Sequence, residues 1–158
     1  MNLNLCKENS FIKGFFLFIL VTMIYWPSLG ARFIWDDNTF FDANPIMDAS
    51  NALYRFWFTR DAPDYFPLVS TNLWFQRKLW GIDPFGYHAI NIVMHASNAI
   101  LFWLILKLLN LPGAWFAAMV FAWHPIQVES VSWITQIKNV QSMFFYPLRP
   151  KFQTPRLR

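Results

Sequence analysis

Charge is scarce in this sequence. Only 14% of its residues are Asp, Glu, Lys or Arg, against about 25% in an average soluble domain. Cysteine is scarcer still: Cys6 stands alone, which excludes an internal disulfide and leaves the redox compartment open. No internal repeat and no low-complexity tract is present. A nucleic-acid partner needs a basic face on a folded module, and none is visible. The net charge of +4 comes largely from Arg149, Lys151, Arg156 and Arg158, in a terminal stretch without acids.

Apolar and aromatic side chains fill the place of charge. Hydrophobic residues make up 56% of the 158 residues and aromatics 20%, with nine Trp and eighteen Phe. Amphipathic rings gather at the membrane interface. The chain reads as an all-α integral membrane protein: a polytopic helix bundle with about three transmembrane helices and amphipathic interfacial helices.

Residues 1–32 hold a cytoplasmic N-terminus and a first span. Its apolar run, GFFLFILVTMIYWPSL, starts at Gly14. With Phe11 and Ile12 it reaches roughly 18 residues, enough for a hydrocarbon core of about 30 Å. Lys7 and Lys13 flank its start and place it on the cytoplasmic side. The run is long for a signal peptide and WPSLGARF is a poor cleavage site, so an uncleaved helix is expected. Residues 33–86 carry seven aspartates against four basic residues and are expected outside the cytoplasm. Two interfacial helices are predicted there. One runs from Ala49 to Phe58 behind an Asp48 cap, and the other from Ser70 to Trp80 with Gly81 as its stop. Residues 87–124 form a transmembrane hairpin: Asp83 caps and Pro84 opens a span to Leu109, NLPGA turns, and a third helix covers Ala114–Trp123. Residues 125–148 hold an amphipathic helix over 126–144 and the start of a further span. Residues 149–158 form a basic tail that reads as disordered or out of frame.

Two groups of polar residues stand out against this background. His88, Asn91, His95 and Asn98 recur at steps of three, four and three, which puts them within roughly an 80° arc of one helix. Helix-to-helix hydrogen bonding is one use for such a stripe. His88, at the mouth of the span, is also a candidate binding residue. His88 and His95 stand about 10 Å apart by helical rise, too far to share one ion, so no metal site is expected. The second group is Asp36 and Asp37, where FIWDDNTFFDANP follows the first span. They could be a solvated stop to that helix, a cation site with Asp42, or a catalytic carboxylate pair at the membrane surface. The cation reading is weakened because the spacing is not that of a known calcium loop. A catalytic carboxylate would take the proton of an attacking hydroxyl.

Three stretches carry a resemblance: FIWDDNTFFDANP, DYFPLVSTNLWFQRKLWGIDPFGYHAINIVMHASNAI and VFAWHPIQVESVSWITQIKNVQS. Together, with WDD, GYHxxNxxxH and HPxxxES in this order, they resemble the N-terminal membrane region of the transmembrane and tetratricopeptide-repeat glycosyltransferases of the GT-C superfamily. The resemblance covers about residues 11–146. It implies transfer of a sugar from a polyprenyl-phosphate donor to an acceptor hydroxyl on the non-cytoplasmic face, protein being the acceptor of the O-mannosyltransferase relatives.

The resemblance also implies roles for particular residues. Asp36 and Asp37 match the catalytic acidic motif. His124 and Glu129 match HPxxxE and would return to the outer side to line the same cleft. Arg77, Lys78 and Lys138 are candidates to steady the leaving phosphate, with solvent or lipid headgroups as their alternative partners. Animal relatives often carry Arg where Phe66 stands. The family has more spans followed by helical repeats, so this chain is expected to be a fragment, inactive alone. The competing expectation is a non-enzymatic membrane anchor or partner subunit. Lipid and a polyprenyl-linked sugar are the expected partners; the acceptor, and any cofactor such as a divalent cation, stay open.

Overall fold

The computed structural model describes residues 3–41, 44–62 and 64–146. Among these residues the chain is helical without strands: α1 Leu3–Tyr25, a 3-10 turn Trp26–Gly30, α2 Asp37–Phe41, α3 Ala52–Phe58, α4 Pro67–Trp80, α5 Pro84–Leu108, α6 Ala114–Trp123, α7 Gln127–Ser132, a 3-10 turn Ile134–Gln136 and α8 Ile137–Phe145. Asp42 and the basic stretch 149–158 lie outside the described residues.

Two helices are long and apolar enough to cross a bilayer, Ser10–Gly30 and Pro84–Leu108. At 1.5 Å per residue, α5 alone spans about 37 Å. The expected third span is present as α6, but with ten residues it covers only about 15 Å. Only 17% of the apolar window of the first segment and 39% of that of α5 is buried within the chain. Phe11, Phe15, Met23, Val93, Leu104, Phe116 and Val120 all face outward. Apolar surface on this scale suits lipid or another apolar chain.

α5 is the centre of the bundle and packs on α1, α6 and α8. Ala96 and Ala99 on α5, with Ala118 and Ala122 on α6, are fully buried. Small residues let helix backbones approach closely where lipid gives no hydrophobic drive to association. Leu17 and Val21 of α1 are equally buried, the first beside Trp103 and the second beside Ala96 and Ala99. The first apolar run is therefore part of the bundle.

Residues 44–62 and 64–83 form a packed cap. Ile46, Met47, Ala52, Phe56 and Leu73 form a core with Tyr87 at the head of α5 and with Ile134 and Ile137. Several helix starts differ from the sequence expectations, each for a local reason. Asp48 does not cap α3; its carboxylate takes a two-pronged contact from Arg77, at 3.0 and 3.3 Å. The residues before α3 are used in turns, in which Asn44 Oδ1 accepts from the Ile46 amide and Ala49 N–H donates to the Ile46 carbonyl. α4 begins at Pro67, whose fixed φ suits the first helical position, so Ser70 falls inside the first turn. Gly81 does end α4, at φ +59°. Asp83 does cap α5, accepting from the Phe85 amide at 3.0 Å.

Gly86 is the tightest contact in the cap. A Cβ there would lie 2.3 Å from Trp80 Cδ2, on a ring that also packs against Tyr87 at 6.2 Å. Tyr87 in turn donates its hydroxyl to the Gly81 carbonyl at 2.6 Å. Gly86→Ala must displace the indole, and overpacking of this kind costs about 1–3 kcal/mol. Thermal unfolding in detergent is expected to show a lowered midpoint, recovered in part by Trp80→Leu on the same background.

The predicted amphipathic helix over 126–144 is two helices. The chain breaks at Trp133, which is extended at φ −95°, ψ 121°. α7 leads up to this break and α8 leads away from it along α5. Two residues of the α5 stripe hold this segment and a third holds the end of α6. His95 Nε2 meets the Ala122 carbonyl at 3.3 Å, Asn91 Nδ2 donates to the Val131 and Trp133 carbonyls, and Asn98 Nδ2 donates to the Val140 carbonyl at 2.8 Å. Backbone groups freed by a break must find other partners at membrane depth; the Val131 carbonyl, whose helical donor Thr135 N–H goes to Asp37, finds Asn91. The helix-to-helix use of Asn91, His95 and Asn98 is thus the one the fold makes of them.

Candidate functional site

The acid pair sits where the first span turns into α2. Asp37 opens α2 and closes a four-residue turn on itself: Ile34 N–H donates to Asp37 Oδ2 at 2.9 Å, while Asp37 N–H donates to the Ile34 carbonyl at 3.0 Å. Inside this turn Trp35 has φ +50°, a conformation uncommon for a bulky residue. Its ring meets Trp133 edge-on, centroids 4.6 Å apart. Strain of about 1–3 kcal/mol persists only where the surroundings enforce it. Here the Asp37 turn on one side and the Trp133 contact on the other do so.

The two carboxylates are in different settings. Asp37 has no exposed surface, and its Oδ1 accepts the Thr135 amide at 3.1 Å. Asp36 is half-buried, and its Oδ1 accepts the Thr135 hydroxyl at 3.2 Å. One residue of the 3-10 turn thus binds both acids, through backbone to one and side chain to the other. The extended Trp133 and the turn after it deliver Thr135 to the acids; a continuous helix would spend that amide on an internal carbonyl. Sequence reasoning did not single out Thr135. The only hint was a polar residue between Trp133 and the apolar face of α8.

Burial pushes the Asp37 carboxyl above the ordinary aspartate range. The charge of Asp36 adds to the rise, and the amides of Ile34 and Thr135 oppose it. A carboxyl raised in the folded state binds its proton more tightly there than in the unfolded chain. Its contribution to stability is therefore full below the unfolded value and is lost as pH rises through the folded one. The stability gap between wild type and the non-titrating Asp37→Asn is expected to be wider near pH 4 than at pH 7. Thermal midpoints of both proteins across that range check it.

His88 joins the acids from α5. It is 1% exposed and lies close to the Ala31 backbone and within electrostatic reach of Asp37. His124 and Glu129 are placed differently. Both are exposed, and their described contacts are local: His124 Nδ1 accepts the Ile126 amide at 3.2 Å, and the Glu129 carbonyl accepts the Trp133 amide. His124 borders an apolar groove with Phe102, Phe116 and Val120. The corner carrying it is level with His95, about 10 Å along α5 from His88. The part of this region that reaches the acids is Thr135, eleven residues after the corner.

The three candidate cations are also separated. Arg77 is engaged by Asp48. Lys78 lies over the Trp74 ring at 5.6 Å. Lys138 lies over the Phe66 ring at 5.7 Å, one helical turn beyond Thr135, on the wall of a cleft of about 670 Å³. Of the three, Lys138 is the nearest in sequence to Thr135, and neither acid is among the residues lining its cleft. Among the described residues no three His, Cys, Asp or Glu side chains gather as a metal-holding group.

Fold and site together define a helical bundle of membrane type, with a clamped acid pair at the mouth of its central helix. The sequence is homologous to a segment of the protein O-mannosyl-transferases. It is 30% identical over 156 residues to human protein O-mannosyl-transferase TMTC3, a match covering 92% of this chain and 16% of that protein. It is 30% identical over 138 residues to Xenopus laevis protein O-mannosyl-transferase tmtc2, covering 80% of this chain and 16% of the relative. A Caenorhabditis elegans protein O-mannosyl-transferase, F38B6.6, is 28% identical over 141 residues, covering 78% of this chain and 20% of its own length. The chain thus spans about a sixth of the length of the curated relatives it matches first. No family model matches it, and no solved structure does.

Proposed function

We propose that this chain carries the acceptor-activating loop of a membrane mannosyltransferase of GT-C type, which draws its sugar from a polyprenyl-phosphate carrier. The observation that carries this reading is the unequal acid pair: Asp37 immobilised on two backbone amides, Asp36 beside it and partly open. Asp37 and Thr135 act as positioning residues, and Asp36 is the base. In the reaction the acceptor hydroxyl gives its proton to the Asp36 carboxylate as its oxygen attacks the anomeric carbon from the face opposite the phosphate. The new C–O bond forms as the bond to phosphate oxygen breaks, and polyprenyl phosphate leaves with the electron pair. A base placed in this way contributes about 10²–10⁴-fold.

Steadying the leaving phosphate requires cations. Among the described residues Lys138 has no carboxylate partner, and it borders a cleft. The relatives are about six times as long as this match, and we assign the remaining donor contacts to that additional length. His124 and Glu129 are assigned to the deeper groove, away from proton transfer.

The reading also fixes a topology: N-terminus in the cytoplasm, acid loop outside, the turn after α5 back in the cytoplasm. With Cys6→Ser as background, Asp64→Cys is expected to react with an impermeant maleimide added outside intact cells, and Pro112→Cys only after permeabilisation. The opposite pattern would place the acids in the cytoplasm and remove the polyprenyl-linked donor from the account.

A further inference from the structure

The end of the bundle farthest from the acids holds a second cavity with its own chemistry. It is about 520 Å³ in volume and is lined by Ser10 and Lys13 of α1, Trp103 and Lys107 of α5, and Gly113 and Trp115 at the start of α6. Lys107 Nζ donates to Ser10 Oγ at 2.6 Å and lies 5.6 Å from the centre of the Trp103 ring. Trp115 Nε1 donates to the Lys13 carbonyl at 3.4 Å, and its ring packs on Phe16 at 5.6 Å. These contacts bring two lysines from different helices to one concavity. Among the described residues no carboxylate lines it. The first amides of α6 open into the same space behind Gly113, which has no side chain to cap them, so the helix end adds to the positive potential.

Depth in the membrane selects the ligand. His88 and Lys107 stand nineteen residues apart on α5, about 28 Å by helical rise. That is close to the roughly 30 Å of a hydrocarbon core. With the acids at one bilayer surface, the lysine cavity lies at the other. Two tryptophans border it, as at a lipid interface, and the exposed Phe116 and Phe16 continue from it along the apolar flank.

We propose that this cavity binds the headgroup of one anionic phospholipid of the leaflet opposite the acid loop. Its phosphate sits between Lys13 and Lys107, and its acyl chains lie along Phe16 and Phe116. A free phosphate would use the lysines but not the aromatic flank. The site is independent of sugar transfer, since none of its residues belongs to the acid cluster.

Native mass spectrometry of the detergent-purified chain, titrated with phosphatidylserine or phosphatidylcholine, tests it. Wild type is expected to hold one phosphatidylserine at least tenfold more tightly than phosphatidylcholine. Each lysine near a charged surface accounts for about a fivefold factor, so the Lys13→Gln/Lys107→Gln pair is expected to bind phosphatidylserine about thirtyfold more weakly and phosphatidylcholine unchanged. The Lys13→Arg/Lys107→Arg pair keeps both charges and is expected to retain binding, which separates loss of charge from loss of fold. Lys78→Gln, at the other end of the bundle, is expected to have no effect. Equal affinity for the two lipids, or unaltered binding in the double Gln variant, would overturn the proposal. So would complete displacement of phosphatidylserine by millimolar inorganic phosphate, which would make this a soluble-anion site.

Discussion

Asp36→Asn is expected to reduce transfer of labelled mannose from a polyprenyl-phosphate carrier by about 10²–10⁴-fold while leaving the protein folded. Asp36 uses one oxygen to accept from Thr135 Oγ1 and is half-buried, so the carboxylate can meet an incoming hydroxyl. An amide at this position still accepts from Thr135 through its carbonyl oxygen, so the local geometry survives. It cannot take a proton at neutral pH, so the base is lost. Membranes containing this segment in a form as long as its relatives are the assay material, with expression and thermal midpoint measured alongside. Thr135→Val on the same scale is expected to cost less than Asp36→Asn. It removes the hydroxyl from Asp36 but leaves the backbone donor to Asp37.

Asp37→Ala is expected to damage the fold. Its carboxylate receives the amides of Ile34 and Thr135 in a setting with no exposed surface. Leaving a buried donor unmet costs about 1–3 kcal/mol. The Thr135 amide is buried and the Ile34 amide only partly so, which puts the loss near 2–4 kcal/mol, a large share of the stability of a small domain. The damage should be local before it is global. The strained Trp35 turn loses the bond that closes it, and the 3-10 turn after Trp133 loses its anchor. Hydrogen exchange is expected to accelerate at 33–37 and 133–137, with little change in the middle of α5. A uniform change along the chain, or none, would show that the acid does not hold the two segments together.

Much of the fold was legible because it follows from simple periodicities. An apolar run of membrane length, an Asp-Pro start and a short NLPGA turn mark α1, α5 and α6, and α6 occupies the expected residues. The polar stripe of α5 was legible as a stripe because the three- and four-residue spacing admits only one helix face. What that stripe bonds to was not legible. Its partners are backbone carbonyls at 122, 131, 133 and 140, on three later segments whose approach to α5 only the tertiary fold decides. A break at Trp133 leaves no mark in local propensity; the tertiary pull of Asp37 on the Thr135 amide and of Asn91 on two carbonyls overrides a helical pattern in residues 126–144.

The same reason hid Thr135 from the sequence reading of the site. The acids were conspicuous because adjacent carboxylates beside an apolar span demand an explanation. A single threonine between bulky residues demands none, yet it contacts both. The HPxxxES element drew attention to His124 and Glu129, whose spacing is distinctive. In the fold their segment serves to carry the chain back up to Thr135. Asp48 shows the converse error. An acid just before a predicted helix reads as a cap, but a cation 29 residues away in α4 takes it instead, and long-range ion pairs have no sequence signature.

The division of labour within the acid pair is tested most directly by assaying Asp36→Asn and Asp37→Asn side by side, measuring sugar transfer per folded molecule together with the unfolding midpoint of each. The account predicts a stable but inactive Asp36→Asn. Asp37→Asn should be less stable, because its amide nitrogen faces an N–H donor, while its folded fraction retains measurable transfer. Wild-type transfer by Asp36→Asn, or an Asp37→Asn that is as stable as wild type and inactive, would contradict it.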